Sequence, residues 1–220
     1  MIRRLRVHAI LAVSFALGSC VPWTVRPIDA DKEAPPQAAA VTNPAAYVDS
    51  IWTSKLLPAV LNSAVDARTL LDALAKSPEE AQTRYGHRDA NGPVYFLVKG
   101  EGRVTGVDTR SRVGLALVDV APFDQEPEVS IQIGPVLRGT SLRDATGLVR
   151  FTDFVNQLQF ADAGNELNDR VLKTVLAPLD KPKLKGSDIS FAGTLAAEVK
   201  AEPPLRELVP VRLAVEDRRR

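Results

Sequence analysis

The spacing of apolar residues changes twice along the body of this chain, and each regime predicts a different kind of element. Tyr47, Val48, Ile51, Trp52, Leu56, Val60 and Leu61 recur at three- and four-residue intervals, one face of a helix beginning near Ala45. Asn43 is placed to cap it, with Pro44 at the first helical position, and Pro58 is expected to kink or break it. Val65, Leu70, Leu71 and Leu74 predict a second amphipathic helix. Ser77-Pro78-Glu79-Glu80 then reads as a third helix start: a serine cap, proline at N1 and carboxylates at the positive end of the dipole. That helix should stop at Gly86.

After Gly92-Pro93 the period falls to two. Val94 to Val98 is a β-rich run, resumed by Val104 to Val107 beyond Gly100 and Gly102 as a bulged or bent strand. Arg112 to Val120 and Val129 to Ile133 are the next strands, the latter with Val129, Ile131 and Ile133 on one face. Val136 to Leu142 continues extended, and Leu148 to Phe151 is a further short strand. A long helical stretch follows to Pro178. One stripe of it carries Phe154, Leu158, Ala161, Asn165, Asn168 and Leu172, and the next Phe160, Gly164, Leu167, Val171 and Val175. Gly164 permits close packing or a break. Ser187 to Ala196 and Glu207 to Val215 are the last strands. Three strands, a helix and two strands are the order of an OB-like antiparallel β-barrel, here behind a small N-terminal helical unit in an α+β chain. A two-layer sandwich is the competing arrangement.

Ahead of this body lies a different pattern. Arg3, Arg4 and Arg6 precede an apolar run from Val7 to Leu17, and Leu17-Gly18-Ser19 leads to Cys20, the only cysteine of the 220 residues. Basic n-region, apolar h-region and small residues before a cysteine form a bacterial lipoprotein signal. The run is about half the ~20 residues that span a bilayer. Cleavage before Cys20 exposes a thiol for diacylglycerol and an amine for a further fatty acyl chain such as palmitate. Multiple chains make a stable anchor. An uncleaved signal anchor with an inert thiol is the alternative. Val21 follows the cysteine in place of an inner-membrane-retaining aspartate, and Pro22-Trp23 suits a bilayer interface. These residues point to the cell envelope without choosing between its membranes. From Val25 to Pro44, prolines at 27, 35, 36 and 44 leave little to bury, the composition of a tether. The expected organisation is a signal peptide at 1–19, lipidated N-terminus and tether at 20–44, helical unit at 45–92 and OB-like domain at 93–216.

Composition adds one expectation and one exclusion. Apolar residues make up 45% and charged residues 25%, so a core is expected. Losing the three arginines of the signal peptide takes the net charge from +1 to −2, which gives no electrostatic case for nucleic acid. Arg218-Arg219-Arg220 reads as a solvated end with some affinity for anionic headgroups.

Several blocks occur together in a fixed order. They are Tyr47-Val48-Asp49-Ser50-Ile51-Trp52, Val98-Lys99-Gly100-Glu101-Gly102, Ile131 through Thr140 with its Gly134-Pro135-Val136-Leu137-Arg138-Gly139-Thr140 segment, and Phe151 through Gln157. With Phe160-Ala161-Asp162 and Asn165-Glu166-Leu167-Asn168 they resemble the DUF2291 family of predicted periplasmic lipoproteins, from Ala45 to about Leu195. The resemblance implies a helical unit with an OB-like unit, a periplasmic lipid-anchored protein and an association with sugar ABC-transporter loci. It implies no catalytic or ligand residues. The long Pro/Ala-rich linker departs from the family's pattern and bears only on tether length.

Two polar clusters are the candidate contact sites. Arg138-Gly139-Thr140-Ser141-Leu142-Arg143-Asp144 places two guanidiniums and two hydroxyls beside a glycine, suited to a carboxylate, phosphate or sugar hydroxyls, with Arg138, Thr140, Arg143 and Asp144 as the candidate contacts. The structural alternative is a local Arg143-Asp144 ion pair, with Arg138 capping a helix or paired to Asp153. Asn156, Gln157, Asp162, Asn165 and Asn168 form the second cluster, with Asn165 and Asn168 on one helix face aimed at the barrel mouth. Planar amides suit sugars, and equally satisfy neighbouring backbone. Asp162, Glu166 and Asp169 raise the question of a metal, against which Glu166 lies four before Arg170 in the ordinary helix salt-bridge spacing. No metal site, cofactor or catalytic set is therefore assigned. His87, the one histidine beyond the signal, sits in a polar, turn-like Gly86-His87-Arg88-Asp89, and no nucleophile elbow or dinucleotide fingerprint appears.

These readings favour a non-enzymatic, lipid-anchored accessory of sugar uptake, contacting a permease or solute-binding protein. A sugar- or polyol-binding lipoprotein and an envelope hydrolase are the alternatives. Aromatics at 5% leave little for stacking on sugars and favour a protein partner.

Overall fold

In the computed structural model, which describes residues 40–88, 92–197 and 205–216, the chain enters its fold at Val41. The predicted signal peptide, Cys20, most of the predicted tether and the Arg218–Arg220 end lie outside the described residues. Val41 N–H donates to the Asp153 carbonyl at 2.8 Å, inside the stretch read as tether. Asn43 then caps α1 (Pro44–Ile51), its side chain accepting from the Ala46 N–H.

Pro58 does not end this helix. The coil widens into a π-helical turn (Trp52–Leu56) and continues as α2 (Leu57–Ser63). A proline has no N–H for the carbonyl four residues back, and its ring crowds that carbonyl. Widening to i→i+5 bonding just upstream relieves the crowding. The same solution recurs in the long helix, where α6 (Gln157–Val171) passes into a π turn (Leu172–Leu176) ahead of Pro178. In both turns the residue four before the proline is a hydroxyl that bonds back one turn: Ser54 to the Ser50 carbonyl at 2.6 Å, Thr174 to the Arg170 carbonyl at 2.7 Å. Gly164 breaks nothing. Its missing Cβ lets α6 approach the Thr140 methyl and the Arg143 side chain.

Val65 leaves the predicted second helix to form a two-residue strand, β1 (Val65–Asp66), because Asp66 caps α3 (Ala67–Lys76) through the Thr69 N–H. Ser77 caps α4 (Pro78–Tyr85) as expected, accepting from the Glu80 N–H. Gly86 ends that helix in extended backbone. A Cβ there would collide with the Gln82 carbonyl and with Val94. His87 is not in a loop: Gly86–His87 is strand β2, paired with Phe96 and Tyr95.

The barrel is built from β3 (Tyr95–Asp108), β4 (Leu115–Val120), β5 (Val129–Gln132), β6 (Asp188–Ala196) and β7 (Arg206–Val215). β3 pairs antiparallel with β4, β4 with β5, β5 parallel with β7, and β7 antiparallel with β6. The β6–β3 pairing closes the ring. β3 is one continuous strand of 14 residues that changes neighbours midway. Its Tyr95–Lys99 half borders β1 and β2, and its Gly102–Asp108 half borders β4. Gly100 and Gly102 do not interrupt it. They allow Ala67, Phe191, Val118 and the Asp119 carbonyl to press against its backbone.

Two extended predictions fail after β5. Val136–Leu142 does not continue as strand; Gly139, at φ +84°, turns the chain into a short helix, α5 (Ser141–Asp144). Leu148–Phe151 is not a strand either, and Phe151–Asp153 forms a 3-10 turn held by reciprocal Arg150–Asp153 bonds. The helix therefore starts at the Asn156 cap, leaving Phe154 outside it. One core runs through both parts, from Ile51, Trp52, Leu56 and Leu70 of the helical unit to Phe96, Ile131, Leu167 and Leu208 of the barrel.

Candidate functional site

The end of β5 supplies a buried amide that composition does not reveal. Gln132 is almost wholly buried, although strand alternation from Val129 would send it outward. β5 is covered on both faces, so its outward residues are buried as well. An amide there must be satisfied: Gln132 Oε1 accepts from the Arg138 N–H at 2.7 Å, and Nε2 donates to Glu207 Oε2 at 3.1 Å. The other oxygen of Glu207 takes the Arg138 guanidinium. Arg138 thus pairs with Glu207 on β7, not with Asp153, whose partner is Arg150.

This Gln132–Glu207–Arg138 network lines a cleft of about 440 Å³ at one end of the barrel. Its other walls include Val94, Tyr95, Leu205 and Val209, with Thr140 beside Arg138. Below it, Ser141 and Thr194 share a buried hydroxyl–hydroxyl bond of 2.7 Å that joins α5 to β6. Beside it, Arg206 donates to the Ala197 carbonyl, and burial lowers its guanidinium from the usual arginine range. An ion pair over an amide, flanked by apolar walls, can hold a ligand or a partner side chain carrying hydroxyl, amide or charged groups.

Only part of the first predicted cluster reaches this cleft. Arg138 and Thr140 line it. Arg143 and Asp144 are committed to each other, at 2.7 and 3.2 Å, and Thr140 Oγ1 also bonds Asp144 at 2.6 Å. Asn168 of the second cluster comes to the first, donating to the Gly139 carbonyl at 3.0 Å and holding the turn that presents Thr140. Asn165 does not face the barrel mouth; it is exposed on the outer side of α6. Asn156 is consumed as a helix cap at the Gln159 N–H, and Gln157 is exposed beside it. The expected Glu166–Arg170 pair does not form; Arg170 reaches across to Asp49 on α1 and ties the two helices. Among the described residues no group of three histidine, cysteine or acidic side chains is placed to hold a metal ion.

A wider depression of about 590 Å³ lies where the helical unit meets the barrel, near Arg68, Lys99 and Arg212. Arg68 is engaged there. It donates to the Ala121 carbonyl at 2.7 Å, to the Val120 carbonyl at 2.5 Å and to Glu128. No motif in the sequence surrounds either Arg68–Glu128 or Gln132–Glu207, each of which joins residues far apart in the chain.

Among solved structures the chain is similar to an OB-fold protein from Thermotoga maritima MSB8, known from its crystal structure. The two share 22% identity and a TM-score of 0.64, over 80% of this chain and 99% of that one. That likeness and the closed five-strand ring establish the OB-type barrel. No curated protein compared with the chain matches it. The profile of the DUF2291 family, described as predicted periplasmic lipoprotein, matches residues 10–214. The chain belongs to the DUF2291 family of predicted periplasmic lipoproteins.

Proposed function

We propose that this chain is a lipid-anchored periplasmic accessory of sugar uptake that works by binding and not by catalysis. Acyl chains on Cys20 hold it to the envelope, and the barrel-end cleft contacts a permease or solute-binding protein of an ABC-type transporter. The observation that carries the binding role is the Arg138–Glu207 pair. It sits at the surface, yet is fixed from beneath by the buried Gln132 amide. A preorganised, accessible charge pair beside apolar walls is the kind of group that fixes register at an interface.

A photo-crosslinking residue at Pro93, exposed on the rim of the cleft, tests this in native membranes. Capture of the permease or binding protein, lost in Arg138→Ala, supports the reading; absence of a specific adduct sinks it. Cys20→Ser should abolish fatty acyl incorporation and release the protein from the membrane fraction.

The cleft volume of about 440 Å³ also falls in the range of small-molecule sites, which favours a second reading, direct sugar or polyol binding. A concentration-dependent rise in melting temperature with a monosaccharide would promote it over the first.

A further inference from the structure

Three of the five exposed large apolar side chains found among the described residues fall in one eight-residue run. Phe151 is 51%, Val155 56% and Leu158 71% exposed. Exposed apolar residues scattered singly need no explanation, but these share one corner, at the 3-10 turn and the start of α6. The corner rests on a fixed aromatic bed. Phe151 and Phe154 each meet Phe160 edge-on at 5.7 Å, and Tyr47 meets Phe154 at 5.3 Å. The charged groups beside it, Arg150 and Asp153, are paired with each other at 3.2 Å. Asn156 and Gln157, between the apolar tips, are uncharged.

The chain enters the domain at this same corner. Val41 pairs in parallel with Phe154, and Gln159 donates to the Thr42 carbonyl at 3.2 Å. Only the twenty residues 21–40 separate Cys20 from Val41. A random-coil linker of twenty residues spans about 25 Å on average, and proline lengthens such a linker. An anchored partner within such reach is met at an effective concentration on the order of millimolar, so a small apolar surface is enough to engage it.

From this placement we infer that the Phe151–Leu158 corner is the face the domain lays on the lipid bilayer, seating Phe151, Val155 and Leu158 among the headgroups and upper acyl carbons. The inference rests on the acyl anchor at Cys20 proposed above. A rim whose charges, Arg150 and Asp153, neutralise each other around apolar tips suits zwitterionic lipid and does not depend on anionic headgroups. The barrel-end cleft, which is formed by other elements, is left for the protein partner.

Because Cys20 is the only cysteine, acylation leaves the chain without a free thiol, and Leu158→Cys introduces a single labelling site. The full chain, processed in cells, is labelled there with an environment-sensitive fluorophore. It is then reconstituted in vesicles of phosphatidylethanolamine and phosphatidylglycerol, with Arg112→Cys, in the exposed turn before β4, as reference. Val155→Cys gives a second probe of the face. The expected result is blue-shifted emission at 158 and 155, with quenching by spin-labelled lipid several-fold stronger than at 112. Acylated protein whose probes at 158 and 112 stay equally in water overturns the face while leaving the anchor intact. Protein without the acyl mass overturns the anchor and the face with it. A blue shift seen only in native envelope vesicles assigns the corner to a protein and overturns the lipid.

Discussion

The Arg143 guanidinium lies 3.9 Å from the centre of the Phe160 ring while its Nε and Nη2 grip both oxygens of Asp144. Its remaining nitrogen donates to the Phe160 carbonyl at 3.3 Å. With the two side chains only 13% and 16% exposed, this is an internal brace between α5 and α6, not a ligand hook.

Arg143→Ala should therefore act on stability. It removes the ring contact and leaves a largely buried Asp144 short of a cation, a loss of about 2 kcal/mol. Denaturant melts will read it as a lower midpoint, and crosslinking at the cleft should be unchanged at temperatures where the variant is folded.

Arg138→Ala should do the opposite. Its side chain is 58% exposed and that of Glu207 33%, so their pair contributes under about 1 kcal/mol to folding. Near-normal melting with loss of partner capture is the expected combination. Unchanged capture would remove the cleft from the interface.

Gly193 sits at the register shift between β6 and β7. A Cβ there would collide with the Val209 carbonyl and come within 2.8 Å of Leu208 and 2.9 Å of Pro210. Gly193→Ala should cost about 1–3 kcal/mol or more, because two of those neighbours are backbone and cannot swing aside. Soluble expression and thermal melting check it.

Asp108 accepts hydrogen bonds from the Arg110 side chain and backbone N–H, which hold its carboxyl down at about 2 instead of 3.8. A lowered folded-state value means any stabilisation is present above 3.8 and fades as pH falls through about 2. The group is exposed, so the effect on folding is small. Carboxyl NMR titration should find it ionised down to that range, and Arg110→Ala should return it toward 3.8.

What could be read in advance was local. Asn43-Pro44 and Ser77-Pro78 declare helix starts within four residues, because a cap is satisfied by the N–H groups just beyond it. The strand order around α6 followed from periodicity, which depends only on neighbours. What escaped depends on distant residues. Arg138 finds Glu207 and Arg170 finds Asp49 only once the barrel has closed. The extended reading of Val136–Leu142 lost to Gly139, whose left-handed backbone is held by the Asn168 amide from another element. Asn156 and Asn168 both spend their amides on main-chain groups of this chain, the Gln159 N–H and the Gly139 carbonyl.

The long strand β3 has a consequence for how the protein can be divided. A cut at the apparent boundary near residue 93 would free the barrel from α1–α4, but it would also strip β1 and β2 from Tyr95–Lys99. That half of β3 would become a bare edge, flanked by the apolar surface of Phe96 and Val98, ready to recruit another chain. The helical unit is thus a built-in guard against self-association, and a barrel expressed without it should assemble into oligomers or precipitate.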